Sequence, residues 1–433
     1  MAPNSAIGSP GSYRRRIIDD ELDHLMPALA AIALDGPKAV GKTATASQRA
    51  TTVYRLDDEA QRSIAEADLD RVLTAPKPIL IDEWQHVPPL WDKVRRAVDD
   101  GASPGSFLLA GSASPEGSGT HSGAGRIVRL RIRPLSLAER LPTEASVSLA
   151  DLLSGTHPPI TGRTNLTLAQ YTDEILQSGF PGLRGLSGRA LHLQLDSYLQ
   201  RVVDRDFREL GHTPRNPDGL RRWMSAYAAA TATVATFERI RAASTAGSET
   251  PPARSTVLPY REVLQRLFLL DQVPGWQPSR NQLGQLALPP KHHLADPALA
   301  ARLLNATAKD LLAGESPGPI VPRDGTLLGA LFESLVTLSV RTYAQASEAN
   351  VSHFRTRGGR HEVDLIVERH DGRVIAIEVK LGATAKSDSV HHLNWLQQQI
   401  GDDLLERVLI TTGPEAYRRA DGICVIPAAL LGP

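Results

Sequence analysis

The chain is 433 residues long, enough for roughly two to four domains with cores of their own. Lys plus Arg and Asp plus Glu both total 48, so no overall charge excess marks a polyanionic partner, and any nucleic-acid surface has to be a local patch. A single cysteine, Cys424, excludes an internal disulfide framework, and no apolar run is long enough to span a bilayer. Residues 1–16 are polar and then basic, without the apolar core of a secretory signal, so the expectation is a cytoplasmic protein with no membrane partner.

Ala30, Ala31, Ile32, Ala33 and Leu34 form a short apolar run that reads as a buried strand. It leads into Gly36-Pro37-Lys38-Ala39-Val40-Gly41-Lys42-Thr43, which meets the phosphate-binding pattern G-x-x-x-x-G-K-[ST] at every fixed position. From Thr43 and Ala44 onward the chain can open a helix. In that context backbone N–H groups turn inward around phosphates, and the helix start adds partial positive charge. Lys42 reaches the β- and γ-phosphates of ATP, and the Thr43 hydroxyl ligates Mg²⁺.

A second strand is expected over residues 52–56, then an amphipathic helix over 57–73 with Ile64, Leu69, Val72 and Leu73 facing inward. Pro78-Ile79-Leu80-Ile81-Asp82-Glu83 follows, an apolar strand ending in two acids. Such a strand delivers Asp82 to its carboxyl edge to hold the Mg²⁺ shell, while Glu83 polarises the attacking water. Alone, a strand ending in solvated acids is commonplace; as the next chemistry-bearing strand after Lys42 it corroborates the loop. Residues 91–99 read as a helix and 106–110 as a strand. Residues 115–125 form a Gly/Ser-rich loop, and 127–133 alternate apolar and Arg residues as a half-buried strand does. One of those arginines, or Arg126, is an arginine-finger candidate against a solvated, charged face as the plainer reading.

Residues 36–43, Ile81-Asp82-Glu83-Trp84-Gln85, Leu109-Ala110-Gly111-Ser112-Ala113 and Arg133-Pro134-Leu135-Ser136-Leu137-Ala138-Glu139-Arg140 occur in this order. Together they resemble a prokaryotic family of AAA-type ATP-binding proteins, in which an ATPase domain is fused to a C-terminal domain of unknown function with a restriction-endonuclease-like end. The resemblance implies an α/β fold with the phosphate-loop strand central in a parallel sheet, and an ATPase domain over residues 17–141. It also implies a γ-phosphate sensor at Ser112, where many AAA proteins carry Asn.

Residues 145–164 are Ser/Pro/Gly-rich and read as a linker or loop region. Residues 168–177 look helical, and Ser178-Gly179-Phe180-Pro181-Gly182 resembles the opening turn of the family's second domain. Residues 191–210 form a long helical pattern with Leu193, Leu195, Tyr198, Leu199, Val202, Val203 and Phe207 on one side and Arg201, Arg205, Asp206 and Arg208 on the other. Three helical patterns at 220–230, 234–243 and 260–270 resemble a winged helix, so residues 165–325 are expected to be a helical and winged-helix region. Its basic residues are Arg239, Arg241, Arg261 and Arg266, which makes DNA a candidate partner and a protein the alternative. Residues 246–255 look like an insertion. His292 and His293 lie side by side without a second ligand pair, at the start of a strand.

The last domain is expected over residues 326–433. An amphipathic helix over 327–343 carries Glu333, and residues 351–354 are a candidate strand. Two strands, 361–368 and 373–380, are joined by His370-Asp371-Gly372, a three-residue hairpin loop that pairs 369 with 373. That register sets Asp364 opposite Glu378 and places both on one face with Lys380. Two carboxylates converging with a lysine is the layout of a PD-(D/E)XK nuclease core, with Glu333 completing a Mg²⁺ shell and Lys380 beside the scissile phosphate. The Pro that precedes the Asp in that motif is Val363 here. A helix at 393–400, a strand at 408–411 and a final edge strand at 422–426 complete the reading. The sequence thus points to a Mg²⁺-dependent ATPase coupled to a nuclease-like, DNA-binding module. The alternative is an ATP-controlled signalling or interaction protein with a noncatalytic nuclease fold.

Overall fold

The computed structural model describes residues 13–433 apart from 113–123, 143, 215, 246–250, 279–287, 314–324, 357 and 384–389. The chain divides into two compact units, residues 1–132 and 133–433.

The first unit is built on five parallel strands, β1 (Ala31–Asp35), β2 (Thr52–Arg55), β3 (Ile79–Asp82), β4 (Phe107–Gly111) and β5 (Val128–Arg131), in the order β2-β3-β4-β1-β5. β1, β3 and β4 are buried at every residue, as strands covered on both faces must be. The phosphate-loop strand β1 is interior but one place from the edge, not central. The register sets Asp35 level with Gly111 and Arg131, and Asp82 level with Ala110, so the loops that follow these strands leave from one sheet edge. The helix Pro89–Asp99 covers the sheet with Leu90, Trp91 and Val94, and Trp91 packs against Trp84 at 4.7 Å between ring centres.

Residues 57–73 are two helices, Glu59–Ala67 and Leu69–Thr74. Asp68 breaks the pattern because its carboxylate accepts from the Arg71 N–H at 3.1 Å and starts a new helix. Val72 is buried and Leu69 and Leu73 pack against the same core, as expected, together with Ala65, whereas Ile64, expected to be buried, is 47% exposed. The Gly/Ser-rich loop lies outside the described residues except for Ala124 and Gly125.

The second unit holds an eight-stranded mixed sheet of order β7-β13-β14-β12-β11-β10-β9-β8. Its strands are β7 (Gly162–Arg163), β8 (Gly275–Trp276), β9 (Asn350–Arg355), β10 (Glu362–Glu368), β11 (Val374–Val379), β12 (Leu404–Thr411), β13 (Glu415–Arg418) and β14 (Cys424–Pro427). Two further short strands, β6 (Val147–Ser148) and β15 (Leu431–Gly432), pair with each other. The stretch 145–164 is therefore not a linker. It supplies β6, the helix Leu149–Ser154 with Leu149, Leu152 and Leu153 buried, and β7, which pairs with β13. β14 is an interior strand between β12 and β13, where an edge strand was expected.

The helix Gly325–Ala346 buries Leu328, Leu331, Phe332, Leu335 and Val336. Residues 188–209 run as one helical stretch through a π-helical segment, Val202–Asp206; Leu193, expected on its apolar side, is 57% exposed. Three helices, Pro217–Ala229, Phe237–Ala243 and Arg254–Arg266, precede two antiparallel bridges, Leu270 with Leu294 and Val273 with Lys291. The expected insertion at 246–255 is described only from residue 251, and Arg254 and Ser255 already belong to the third helix.

The motif at residues 133–140 folds into this second unit. Ser136 and Glu139 form a reciprocal capping box for the short helix Leu137–Arg140. The Arg140 side chain is fully buried, donates to the carbonyls of Leu135 (2.7 Å) and Glu174 (2.8 Å), and lies 3.7 Å from the Asp296 carboxylate. Asp296 in turn accepts from the Gly179 N–H and caps the helix Pro297–Leu303. Arg140→Met would strip Asp296 of its cation, so denaturant unfolding should show a loss of about 3 kcal/mol or more.

Candidate functional site

The loop after β1 closes around Lys42. Its ammonium donates to the carbonyls of Gly36 and Pro37, each at 2.8 Å, and the side chain is almost wholly buried. Two residues hold the left-handed region here, Ala39 (φ 65°) and Gly41 (φ 102°), which curls the backbone toward the lysine. Gly36 packs so close to Ile132 that an added Cβ would lie 2.3 Å from the Ile132 carbonyl. Burial pushes the Lys42 ammonium down to about 8, against the opposing fields of Glu83 and Asp82.

Although β4 lies between β1 and β3, the Thr43 hydroxyl still reaches Asp82, 2.9 Å from both carboxylate oxygens. Burial lifts the Asp82 carboxyl to about 6, so this acid gains from a neighbouring cation. Glu83 follows in the left-handed region (φ 52°), a strained backbone for a non-glycine residue. Its carboxylate accepts from Ser112 Oγ at 3.0 Å and from Gln85, whose amide also donates to Ser112 at 3.1 Å. Lys42, Thr43, Asp82, Glu83 and Ser112, singled out from sequence, are thus gathered at one edge of the sheet.

Three residues of this site escaped the sequence. Arg16 donates to the Val40 carbonyl at 3.0 Å and braces the loop from outside the motif; nothing in its surroundings signals that contact. Gln85 holds Glu83, and its place two residues after the acid is the only cue. Asp35, the last residue of β1, is buried, pairs with Arg129 and has its carboxyl raised by burial. Of the arginine-finger candidates, Arg126 pairs with Asp99 and Arg133 with Asp271, whereas Arg129 pairs with Asp35 and Arg131 acts electrostatically on Asp35 and Lys42.

The second unit carries a separate cluster. β10 and β11 pair with Leu365 opposite Ile377 and Glu368 opposite Val374, a register that sets Asp364 level with Glu378. Gly372 at φ 84° and the Arg369 N–H bond to the Arg373 carbonyl close the three-residue loop. Asp364 accepts from the Val379 N–H at 2.9 Å, and Lys380 donates to Glu378 at 2.6 Å. Glu333, on the helix Gly325–Ala346, joins the same cluster.

Lys291 stands in its middle. Its ammonium lies 2.9 Å from Glu333, 3.0 Å from Asp364 and 3.4 Å from Glu362, and the side chain is 1% exposed. The bridge to Val273 fixes its backbone through two 2.9 Å hydrogen bonds. Burial alone would lower this ammonium; Asp364, Glu333 and Glu362 more than reverse that and hold it charged. Burial and the nearby Asp364 push Glu333 and Glu378 up to about 8, while Lys291 and Lys380 overcome burial and hold Asp364 below its ordinary range. Sequence passed over Lys291 because nothing local distinguishes it. Glu362, two residues before Asp364 on the same strand face, was legible from the period of two.

The adjacent histidines have other occupations. His292 contacts Tyr227, Gln272 and the Ala235 carbonyl, and His293 is buried with its imidazole held neutral by burial.

Residues 29–141 match the family model of an AAA domain. This AAA domain spans the first unit from just before β1, and residues 133–141 of the match lie in the second unit. Residues 168–310 and 328–431 match two domains of unknown function, DUF8612 and DUF4143. The chain is 23% identical over 407 residues to the uncharacterized protein Rv2008c of Mycobacterium tuberculosis and equally to Mb2031c of Mycobacterium bovis, covering 92% of this chain and 80% of each relative. Among solved structures, the Walker-type ATPase PABY2304 of Pyrococcus abyssi is similar at TM-score 0.37 and 15% identity, over 66% of this chain and 94% of the other. The ORC2 protein of Aeropyrum pernix follows at 0.27 and 14%, over 66% and 89%. Both scores are too low to fix a shared fold. Among the described residues, no helix is long and apolar enough to cross a membrane.

The cluster sets a pH dependence. Glu333 and Glu378 titrate at 4.5 ordinarily and at about 8 when folded. Their contribution to stability is therefore complete below the unfolded value and is lost as pH rises through the folded one. Hydrogen-exchange protection of the β10 and β11 amides, taken relative to the intrinsic exchange rate at each pH, should fall over that window, and Glu378→Gln should flatten the trend. Lys291→Met should cost about 3–5 kcal/mol near neutrality, because it strands the charge of Asp364, and less in acid.

Proposed function

We propose that the first unit binds ATP with Mg²⁺ and hydrolyses it, and that this drives a noncatalytic C-terminal module that engages a protein partner. The observation that supports the first half is the convergence of Lys42, Thr43, Asp82, Glu83 and Ser112 on one sheet edge. Residues 36–44 would enclose the phosphates with backbone N–H groups, and Lys42 would exchange its carbonyl partners for β- and γ-phosphate oxygens. The Thr43 hydroxyl and the buried Asp82 carboxylate are hard oxygen donors that fit Mg²⁺ and would hold it. Once bound, that ion would offset negative charge on the phosphates. Glu83 would take the proton of the attacking water, and Ser112 and Gln85 fix the carboxylate's direction until it does.

In the second half, the β10–β11 hairpin with Glu333 has the carboxylate layout of a PD-(D/E)XK nuclease core within a domain over 326–433. Mg²⁺ does not fit there. The Lys291 ammonium already bridges three of the four carboxyls, whereas Mg²⁺ would need one or two of those oxygens as its own ligands at about 2.1 Å. No cleavage step is therefore assigned to Asp364, Glu378 or Lys380. A protein partner is favoured over DNA because several arginines of the 165–325 region are engaged within the chain. Arg241 pairs with Glu238, Arg261 stacks on Phe237 at 4.0 Å, and Arg205 pairs with Glu209.

ATP turnover by the full chain tests the first half. Lys42→Ala should abolish nucleotide binding, whereas Glu83→Gln should keep binding and lower turnover by roughly 100-fold or more. Turnover unchanged by both would reject it. For the second half, incubation with Mg²⁺ or Mn²⁺ and duplex or single-stranded DNA should leave the DNA intact. Cleavage lost in Asp364→Ala would overturn that reading, and tight, salt-sensitive DNA binding would replace the protein partner.

A further inference from the structure

Beside the β10 entry, three imidazoles face one another. His361 directly precedes β10, and His391 and His392 open the helix His391–Ile400. Their ring centres form a nearly equilateral triangle, 5.5 Å from His361 to His391, 5.6 Å from His361 to His392 and 5.3 Å between the last two. One nitrogen from each ring lies within 4.8 Å of the other two. Nδ1 of His361 and Nδ1 of His392 are buried and make no hydrogen bond. Such atoms cost roughly 1–3 kcal/mol each unless something binds them.

The surroundings hold the rings in place. His361 stacks on Trp395 at 4.1 Å and 7°, one turn along the helix, and Trp395 stacks in turn on Phe354 of β9. The His361 backbone is clamped by Thr356, whose N–H donates to the His361 carbonyl and whose hydroxyl accepts from the His361 N–H at 3.0 Å. His391 is exposed, which leaves a path from solvent.

We propose that His361, His391 and His392 form a binding site for a divalent transition metal of the zinc type. Two imidazoles sharing a tetrahedral ion at a Zn–N distance of about 2.1 Å have ring centres about 5.2 Å apart. The observed triangle is within a few tenths of an ångström of that spacing. The nitrogens need only rotate inward to about 3.4 Å from one another, and the exposed His391 ring is free to turn. Three neutral imidazoles select Zn²⁺, Co²⁺, Ni²⁺ or Cu²⁺ and discriminate against Mg²⁺ and Ca²⁺, which prefer oxygen. This ion is thus distinct in kind from the one that accompanies ATP. A fourth ligand would be water, as in three-histidine sites generally.

Titration of Zn²⁺ into the full, tag-free, chelator-stripped chain tests the site by calorimetry, with Co²⁺ in place of Zn²⁺ as an optical probe. One equivalent should bind, and Co²⁺ should give the intense visible absorption of tetrahedral coordination. His391→Ala, at an exposed position and with the fold checked by circular dichroism, should weaken binding at least about tenfold, and His361→Ala and His392→Ala likewise. His370→Ala, at an exposed histidine outside the triangle, should change nothing. Absence of a stoichiometric site, equal displacement by Mg²⁺, or affinity unchanged in His391→Ala would overturn the proposal.

Discussion

The parallel register of β1, β3 and β4 is the constraint on which the first unit depends. Parallel strands that are buried on both faces can present polar groups only where they end, and here they end level. Asp35, Asp82 and Ser112 therefore all appear at one edge, and the loop after β1 has to turn back over it. The left-handed residues Ala39 and Gly41 after β1 and Glu83 after β3 are the local cost of turning the chain in so small a space. Moving β1 or β3 by a residue would turn its terminal acid toward the opposite face.

The second unit solves a different problem. It gathers Glu333, Glu362, Asp364 and Glu378 at the junction of a helix and a sheet, where ionised carboxylates would repel one another. It balances them with Lys291 and Lys380. Lys291 comes from the segment after the three helices of the 217–266 stretch, so the helical part and the sheet are joined through this charge cluster. Arg140 does comparable duty elsewhere in the same unit, tying the 133–140 motif to Gly179 and to the start of the helix Pro297–Leu303.

What the sequence made legible follows from how local each signal is. The phosphate loop, the β3 acids and the β10–β11 register could be read because each depends on a fixed spacing or on a turn of known length. The helix carrying Glu333 could be read from its apolar period. The stretch 145–164 was misread as a linker because its strands are two residues long and its helix six, below the length at which periodicity speaks. Ile64 was misplaced because the buried position of its helix is Ala65, and Leu193 because the buried stripe of its helix runs Leu191, Leu195 and Leu199, with 193 about half a turn out of phase. Lys291 was invisible for a stronger reason. Its three partners lie between 42 and 73 residues away along the chain, and nothing in a lone Pro-Lys-His string announces them.

That lysine also changes what kind of quantity governs the carboxylate cluster. A cluster neutralised by a dissolved ion obeys mass action: dilution empties it, chelators strip it, and competing ions exchange into it. A tethered ammonium has no free concentration and no exchange partner. Its occupancy is set once, when the chain folds, and stays fixed whatever the supply of divalent cations in the surroundings.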